Sequence, residues 1–527
     1  MIAQPTPADR PQAAGRLHGS HPGRFARRFG VEETWPLAGI AGIGLALELG
    51  VLWLVHGPLA LAAHPQPNAG AAGDEPLAAF LGLNGHGALL FAGGSALATA
   101  LYLAALTLAW RSHERRGVWL VLGLSGLLAL TMLAVYPASS RDLFTNVIDG
   151  RMAWVHGLNP MTRSPLAVSA DPLFPAVSWQ AEPSYYGPVW YLLLALPARL
   201  AGTGLLTNLV AYRALLLPFL LGAAIGAARL AGRRGGPRAA TVAAVLVGFN
   251  PLLLWEIAGN GHNDIVMACF AVWALERADC DDWALAWPLL ALSVLSKWVT
   301  APLALLFAVA ALRAEQRPLR RHALGLAASV AVAAACLAPF WEGAGTFTPL
   351  LTRGADRIAW SPARLLAALL HGGWAPLPWV ISAAPENQQA RAVALALCAA
   401  AGAIVLLRLW TRRDDLLAAA FWAIFAWLLL GALWFFPGYV CTLVVLGAAQ
   451  APGRRAALAA VFSIAALCGH LVQGWYGPLF RTWPDAAVIG VFVAIVFVPP
   501  ALLWAATLAA ATYRRRGAGA ASGRSND

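Results

Sequence analysis

Long apolar segments recur along almost the whole chain, and they constrain the fold more than any other feature of the sequence. A run of about 20 apolar residues is long enough to cross the hydrocarbon core of a bilayer as an α-helix. Residues 239–258 form one such run, and they do not alternate with the period of two that a membrane strand requires. Since 59% of the 527 residues are hydrophobic and only 12% are charged, a soluble globular protein is excluded. We therefore predict an all-α polytopic membrane protein.

About fourteen membrane segments are predicted when Pro or Gly is allowed to shorten some crossings. They lie near residues 35–57, 86–110, 117–137, 207–231, 239–259, 264–278, 283–296, 298–313, 322–341, 389–410, 416–436, 438–451, 456–474 and 486–512. The two segments that flank Lys297 are short for a crossing, so we expect a tight hairpin whose tip approaches the outer face. Residues 186–202 are only moderately apolar and contain Pro197. We expect an interfacial helix there, with a full crossing as the alternative.

The basic residues predict the orientation in a bacterial inner membrane. With the N-terminus inside, 26 arginines fall in inside connections and tails and 9 fall outside. Both termini are then cytoplasmic, in basic tails at 1–34 and 513–527, and the transmembrane domain covers 35–512. Because the net charge of +12 follows from these topology signals, no nucleic-acid partner is expected. Two long outside segments, 138–202 and 342–388, are rich in Trp, Tyr, Arg and Asp, so we expect extracytoplasmic loops that fold into interfacial helices.

The first outside loop opens with an acidic stretch, YPASSRDLFTNVIDGRMAWVHGLNP. Asp142, Asn146 and Asp149 are spaced i, i+4 and i+7, so they share one face if this stretch is helical. A helix lying on the membrane would then present two carboxylates, with Arg141 and Arg151 nearby. The alternative is the solvated polar face of an ordinary surface helix.

Four polar residues form the turn in WEIAGNGHNDIVM, between two apolar segments. Asn263 or Asp264 can cap the helix that follows, but capping does not account for Asn260 and His262 as well. We therefore expect a functional turn, which Glu256 could orient. No metal is indicated, because two potential ligands without a third are a weak signal, although a divalent ion stays an open alternative.

Lys297 is the only lysine in the chain. An ammonium group at a membrane hairpin is costly unless an anion or backbone oxygens receive it. It could bind a lipid-linked phosphate or extend to the lipid headgroups. Arg353 and Arg357, one helical turn apart in the second outside loop, offer the same two choices. Glu48 and Arg213 lie in predicted spans and could form a pair.

These features follow one another in a particular order: an acidic residue in the first outer loop, then GLNPM, SYYGPVW and NGHND. The order resembles the integral-membrane glycosyltransferases of the GT-C superfamily, most closely the bacterial polyprenyl-phosphate-mannose-dependent mannosyltransferases, over residues 120–440. The resemblance implies a GT-C-like helical bundle embedded in membrane lipids. It also implies transfer of a hexose, here mannose, from a polyprenyl-phosphate sugar to a lipid or glycan acceptor. Transfer would occur on the periplasmic face by direct displacement with inversion.

The resemblance also implies roles for individual residues. Asp142 is the expected catalytic base, and Asp264 is the expected second carboxylate of the active site. Arg151, Lys297 and Arg357 are the expected phosphate-binding groups. The full set of expected substrate-binding residues is Asp149, Arg151, Asn159, Tyr186, Asn260, His262, Asn263, Lys297 and Arg357. No cofactor is expected.

Two motifs depart from the family pattern. Met161 follows the NP of GLNP, where Tyr is common in the family, and WFFPGYV stands where the family has a late PWY-like motif.

The alternative function is a multi-span transporter or flippase of a lipid-linked or envelope substrate. In that case Glu48, Arg213 and Lys297 would line a pathway. Such folds show internal repeats, and the chain holds no second copy of SRDLF, GLNP or NGHND.

Overall fold

The fold is almost entirely helical. A computed structural model describes residues 31–64, 76–139, 141–313, 319–348, 358–372 and 385–522. Helices make up 78% of it, and strand pairing within these ranges is limited to isolated bridges. The predicted all-α class is therefore confirmed. Most of the N-terminal tail, much of the second outside loop, and both Arg353 and Arg357 lie outside the described residues.

The helices vary widely in length. Those before the NGHND turn are α1 (Val31–His56), α2 (Pro76–Leu81), α3 (Gly85–Arg111), α4 (Arg116–Met132), α5 (Asp142–Trp154), α6 (Pro188–Leu193), α7 (Ala195–Leu200), α8 (Leu205–Ala214), α9 (Leu217–Gly248) and α10 (Pro251–Leu253), which a π-helical turn (Leu254–Gly259) continues. Those after it are α11 (Asp264–Asp279), α12 (Trp283–Ser296), α13 (Leu303–Arg313), α14 (Leu319–Leu337), α15 (Pro362–Leu370), α16 (Pro385–Trp410), α17 (Leu416–Ala426), α18 (Val440–Ala448), α19 (Arg454–Gly474), α20 (Tyr476–Phe480), α21 (Asp485–Val496) and α22 (Val498–Ser522).

Six helical stretches among the described residues are long and apolar enough to cross a membrane. They are Trp35–His56, Gly85–Arg111, Leu205–Gly259, Leu319–Phe340, Pro385–Trp410 and Arg454–Gly474. A seventh would be the pair α21 and α22, which meet at a bend of 46°. The other predicted segments are also helical but shorter, so the number of about fourteen is not confirmed and stays a prediction.

The stretch Leu205–Gly259 is 55 residues long, far more than one crossing needs. It is interrupted at Gly236, whose φ of 76° and ψ of −170° are not helical, and Pro237 follows. Glycine tolerates a positive φ, and proline cannot donate the next helical hydrogen bond. The break lies between the predicted spans at 207–231 and 239–259.

Helix α9 lies inside the bundle, because it packs against α3, α4, α11 and α18. Its C-terminal part is almost completely buried and rich in Ala and Val; small residues allow close approach of neighbouring helices. Peripheral helices instead expose large apolar side chains, such as Leu89 of α3, which is 71% exposed. This distribution is typical of helices that face lipid.

The two short helices that flank Lys297 pack against different neighbours. Helix α12 packs against α11 and α14, whereas α13 packs against α16 and α17. The predicted tight hairpin around Lys297 is therefore wrong, because each helix packs against apolar partners elsewhere in the bundle.

Residues 186–202 form α6 and α7, each of 6 residues. Together they are about 20 Å long, too short for the roughly 30 Å hydrocarbon core, in keeping with the expected interfacial position.

Arg213 of α8 is fully buried among backbone carbonyls. Its guanidinium donates hydrogen bonds of 2.6 to 3.4 Å to the carbonyl oxygens of Met132, Leu133, Val135, Leu209 and Gly259. Leu209 lies in α8 itself, whereas the other four carbonyls lie at the C-terminal ends of α4 and of the π-helical turn, where a cation is favourable.

Glu48 does not pair with Arg213. Its Oε1 accepts a hydrogen bond of 2.5 Å from Thr131 Oγ1. The suggested pair of Glu48 and Arg213 is therefore not formed, because the N–H groups of the Arg213 guanidinium already donate to backbone carbonyls.

We predict that Arg213→Ala lowers the free energy of unfolding by at least about 3 kcal/mol, because several buried carbonyls lose their donor at a cost of ~1–3 kcal/mol each. A thermal scan of detergent-solubilised protein by size-exclusion chromatography measures the effect. Arg413→Ala, at an exposed position, is the control and should leave the midpoint unchanged. Equal midpoints for the two variants would contradict the structural role of Arg213.

Candidate active site

Five separate segments of the chain meet around two adjoining clefts. The lysine cleft, of about 230 Å³, is lined by Asp142, Tyr186, His262, Asp264, Lys297, Phe436, Gly438 and Tyr439. The tryptophan cleft, of about 360 Å³, is lined by Asp142, Thr145, Trp179, Glu182, Pro183, Ser184, Tyr185 and Tyr186. The two share Asp142 and Tyr186. The structure thus brings together the acidic loop, the NGHND turn and the single lysine, as the sequence predicts.

Lys297 and Asp264 form a buried ion pair in the lysine cleft. The Nζ atom lies 2.8 Å from Asp264 Oδ1 and 2.9 Å from Oδ2. It also lies 4.7 Å from the ring centre of Tyr439 and 5.6 Å from that of Tyr186, within the range of cation–π attraction. Helix α12 ends just before Lys297, whose backbone is extended, and Asp264 begins α11, where the helix dipole favours a carboxylate.

Asp142 is the first residue of α5 and lines both clefts. Its Oδ1 accepts a hydrogen bond of 3.3 Å from Trp179 Nε1, and its Oδ2 lies 3.9 Å from His262 Nε2. The side chain is 22% exposed. A carboxylate is therefore held in a fixed orientation at the junction of the two clefts, within reach of a ligand.

Glu256 lies behind this junction and contacts two histidines. Its Oε2 is 2.5 Å from His262 Nδ1, although not aligned as a hydrogen bond, and its Oε1 is 2.5 Å from His470 Nε2. Burial disfavours the charged imidazole of His262, but the charge of Glu256 outweighs this effect, and the pKa of His262 is raised. His262 therefore links a fully buried carboxylate to Asp142. The suggestion that Glu256 orients the turn agrees with this geometry.

Asn260 ties the NGHND turn to the loop that leads to Asp142. Its Nδ2 donates to Ser139 Oγ at 2.5 Å, and its Oδ1 accepts from the backbone N–H of Ser139 at 3.3 Å. Asn263 is buried beside Asp264, and its Nδ2 has no hydrogen-bond partner within the described ranges. Neither residue is among those that line the two clefts. Asn260 positions the loop, and the expected contact of both residues with substrate stays a prediction.

Two other predicted substrate-binding residues stabilise the loop instead of lining a cleft. Arg151 pairs with buried Asp171 at 2.8 Å and donates to the carbonyl of Gly202 at 2.7 Å. Asn159 donates to the carbonyl of Phe340 at 2.8 Å. Arg151 thus has a carboxylate partner within the loop, and its expected role in binding phosphate stays a prediction.

Asp149 is buried below Asp142 on the same face of α5. The predicted helix is confirmed, but this face packs inward, since Asn146 accepts a hydrogen bond of 3.0 Å from Trp190 Nε1. The pKa of Asp149 is raised to about 7, chiefly by burial; a hydrogen bond with Ser184 opposes this shift, and the charge of the nearby Asp142 contributes to it. Asp149 is therefore a largely neutral group within the fold at mildly acidic pH.

The structure adds residues that the sequence reasoning missed. His470, Trp179 and Glu182 belong to the site or support it, and Phe436 and Tyr439 line the lysine cleft. A histidine inside the apolar helix α19 was the one available signal for His470. Phe436 and Tyr439 belong to WFFPGYV, the motif that departs from the family pattern.

Metal binding receives no support from the described residues, among which no group of three or more His, Cys, Asp or Glu side chains could hold an ion. The expectation that the protein needs no cofactor stays a prediction.

We predict that Asp149→Asn flattens the pH dependence of stability. The carboxyl has an ordinary pKa of 3.8 and a folded-state pKa of about 7, so between these values the folded protein holds a proton that the unfolded chain releases. Stability therefore falls as the pH rises from about 4 to 7 and stays level above this window. The difference in thermal midpoint between pH 5 and pH 8 should shrink in Asp149→Asn. Asp281→Asn, in an exposed turn, should retain it, and equal differences in both variants would refute the assignment.

Similarity to a known family covers the part of the chain that contributes Asp142, Asp264 and Lys297. A search of curated proteins finds no match. A family model described as the N-terminal domain of alpha-(1->6)-mannopyranosyltransferase matches residues 44–314, more than half of the chain. The match confirms the prediction of a glycosyltransferase and decides against the transporter alternative. The chain thus belongs to the MptA_B family of alpha-(1->6)-mannopyranosyltransferases and is a membrane glycosyltransferase.

Proposed function

We propose that this protein transfers mannose from a polyprenyl-phosphate-mannose donor to a hydroxyl group of a lipid or glycan acceptor. The observation that carries the proposal is that Asp142 and Lys297 line the same cleft, so that a base and a phosphate-binding cation face one ligand. The sugar follows from the family. A lysine in the cleft supports a donor that carries a phosphate, and the polyprenyl group follows from the resemblance of the sequence motifs.

Lys297 is the group that would bind the donor phosphate. An ammonium has three N–H donors, and Asp264 receives two of them, which leaves one for a phosphate oxygen. The two aromatic rings beside Nζ limit access of water and so strengthen the attraction. Asp264 holds the ammonium of Lys297 in position when the donor is absent.

The reaction is a single displacement at the anomeric carbon. An acceptor oxygen forms the new bond to this carbon as the bond to the phosphate oxygen breaks, and the electron pair leaves with the polyprenyl phosphate. The acceptor proton passes to Asp142, a contribution of about 10² to 10⁴ in rate. Because displacement inverts the anomeric carbon, an α-mannoside product requires a β-linked donor.

His262 and Glu256 would hold Asp142 in its orientation. The Nε2 atom of His262 lies 3.9 Å from Asp142 Oδ2. Glu256 holds the imidazole from the opposite side. His262 is then a positioning residue, and Asp142 alone receives the proton.

The proposal places the site on the periplasmic face of a bacterial inner membrane, in a GT-C-like bundle of about fourteen membrane segments. Both termini are then cytoplasmic. The distribution of arginines supports this orientation. A lipid-linked donor also accounts for a site that lies among short, irregular helices.

We predict that Asp142→Asn abolishes mannose transfer, because the amide cannot accept the proton. Purified protein in nanodiscs, supplied with radiolabelled polyprenyl-phosphate-mannose, provides the measurement. Asp281→Asn is the matched control and should be fully active. Expression and the thermal midpoint should be the same in both variants; full activity of folded Asp142→Asn protein would remove Asp142 from the role of base.

We predict that Lys297→Gln lowers kcat/KM for the donor by about 10² or more, the usual effect of removing a charge-stabilising donor. Lys297→Arg should recover part of this loss, since it restores the positive charge. Arg454→Gln, at an exposed position, controls for a general loss of charge. A Lys297→Gln protein with an unchanged KM and kcat for the donor would show that the lysine serves only to stabilise Asp264.

A further inference from the structure

Glu256 is a carboxyl group buried inside the helical bundle. Its exposure is 0%, and it is not among the residues that line the lysine cleft or the tryptophan cleft. It lies in the π-helical turn Leu254–Gly259, and π-helical turns inside α-helices are frequent at functional sites. A buried carboxyl group in a membrane bundle is also costly. Both facts favour a functional role for Glu256 over packing alone.

His262 contacts Glu256 through its backbone and through its side chain. Its backbone N–H donates to the carbonyl oxygen of Glu256 at 3.0 Å, and its Nδ1 lies 2.5 Å from Glu256 Oε2. A Cβ atom at Gly438 would lie 3.3 Å from each of these two side-chain atoms, so the backbone of WFFPGYV closes over the contact. The other ring nitrogen, Nε2, lies 3.9 Å from Asp142 Oδ2. The orientation of His262 toward Asp142 thus depends on the position of Glu256 Oε2.

His470 binds the other oxygen of Glu256. Its Nε2 forms a hydrogen bond of 2.5 Å with Oε1, and the residue is 3% exposed. Its ring meets Phe91 of α3 edge to face, with 6.3 Å between the ring centres, and α19 packs against α3 and α10. The bundle therefore determines the position of His470, independently of the loops that carry the site residues.

The two hydrogen-bonding oxygens of Glu256 allow it to hold both histidines at once. A carboxylate has two acceptor oxygens, whereas the amide of glutamine has one. The terminal torsion of a glutamate side chain is broad when nothing restrains it. The bond from His470 to Oε1 fixes this torsion, and Oε2 then stays beside His262. A continuous series of contacts thus runs from α19 through Glu256 and His262 to Asp142.

We infer that His470 is a positioning residue for sugar transfer: it fixes Glu256, which in turn fixes His262 against Asp142. The inference rests on the proposed function, in which Asp142 is the base. A misplacement of about 1 Å can cost roughly 10² in rate. Since His470 is not among the residues that line either cleft, its loss should slow the chemical step and leave donor binding unchanged. Part of the geometry of the site then comes from α19, outside the residues 44–314 that match the family model.

The experiment measures transfer by the full-length protein in nanodiscs, with radiolabelled polyprenyl-phosphate-mannose as donor and octyl α-mannoside as acceptor. His470→Leu should lower kcat about tenfold or more, while the KM for the donor changes less than about twofold. His470→Gln should keep most of the activity, because its amide nitrogen can take the place of Nε2. His470→Asn should not, since its side chain is too short to reach Glu256.

His322→Leu is the matched control. His322 is also a buried histidine in a membrane helix, and it accepts a hydrogen bond of 3.0 Å from Trp287. Trp287 precedes Lys297 by about 15 Å along α12, so this variant should keep the kcat of the unmodified protein. The double variant Glu256→Gln, His470→Leu should lower kcat no further than Glu256→Gln alone, because both changes interrupt the same series of contacts.

An unchanged kcat in folded His470→Leu protein would overturn the inference. Equal kcat values for His470→Gln and His470→Asn would do the same, and this comparison decides the matter if His470→Leu does not fold. An equal loss of kcat in His322→Leu, or a rise in the donor KM in place of the fall in kcat, would also overturn it. In all these cases the unmodified protein still transfers mannose and the proposed function stands. An unmodified protein that never cleaves the donor would instead refute the proposed function, and the inference with it.

Discussion

The arrangement of the site depends on one buried guanidinium group. Arg213 binds the carbonyls at the end of α4, from which the chain proceeds to Asp142, and the carbonyl of Gly259, from which it proceeds to Asp264. The five N–H groups of an arginine lie in one plane, and here they join two helix C-termini whose dipoles compensate the positive charge. Both loops that carry site residues thus start from one fixed point, and the hydrogen bonds of Asn260 with Ser139 join them again further on.

Two carboxylates at this site have different surroundings, and the proposed function gives them different roles. Asp264 is 2% exposed and bound by an ammonium, so it is poorly placed to accept a proton from a substrate. Asp142 lies at the junction of the clefts beside His262 and a tryptophan N–H, where its oxygens are oriented but reachable. Two carboxylates in one active site can have distinct chemical roles because their environments differ. Neither role could be read from spacing alone.

The sequence predicted the features that depend on local patterns. Apolar length predicted the helices, and the NGHND turn and Asp142 were found because polar residues are conspicuous between apolar segments. The partners of Arg151 and Glu256 were not predictable, because Asp171 lies in a loop without periodicity and His470 is more than two hundred residues away from Glu256 along the chain. The position of Lys297 was predicted as unusual, but its hairpin was not formed, since packing partners from distant helices decided the direction of α12 and α13.

The irregular helices explain why a cleft exists at this place. Gly187, just before α6, donates its N–H to the carbonyl of Ser296 at 3.2 Å, and a Cβ atom there would lie only 1.9 Å from the carbonyl oxygen of Leu295. The start of α6 is therefore held directly against the end of α12. This contact satisfies backbone groups that α12 leaves unpaired where it stops short, as a lipid environment demands. It also places Tyr186 beside Lys297. A helix of full crossing length would fill this space with apolar side chains, so the early end of α12 is the condition for a polar cleft within the bundle.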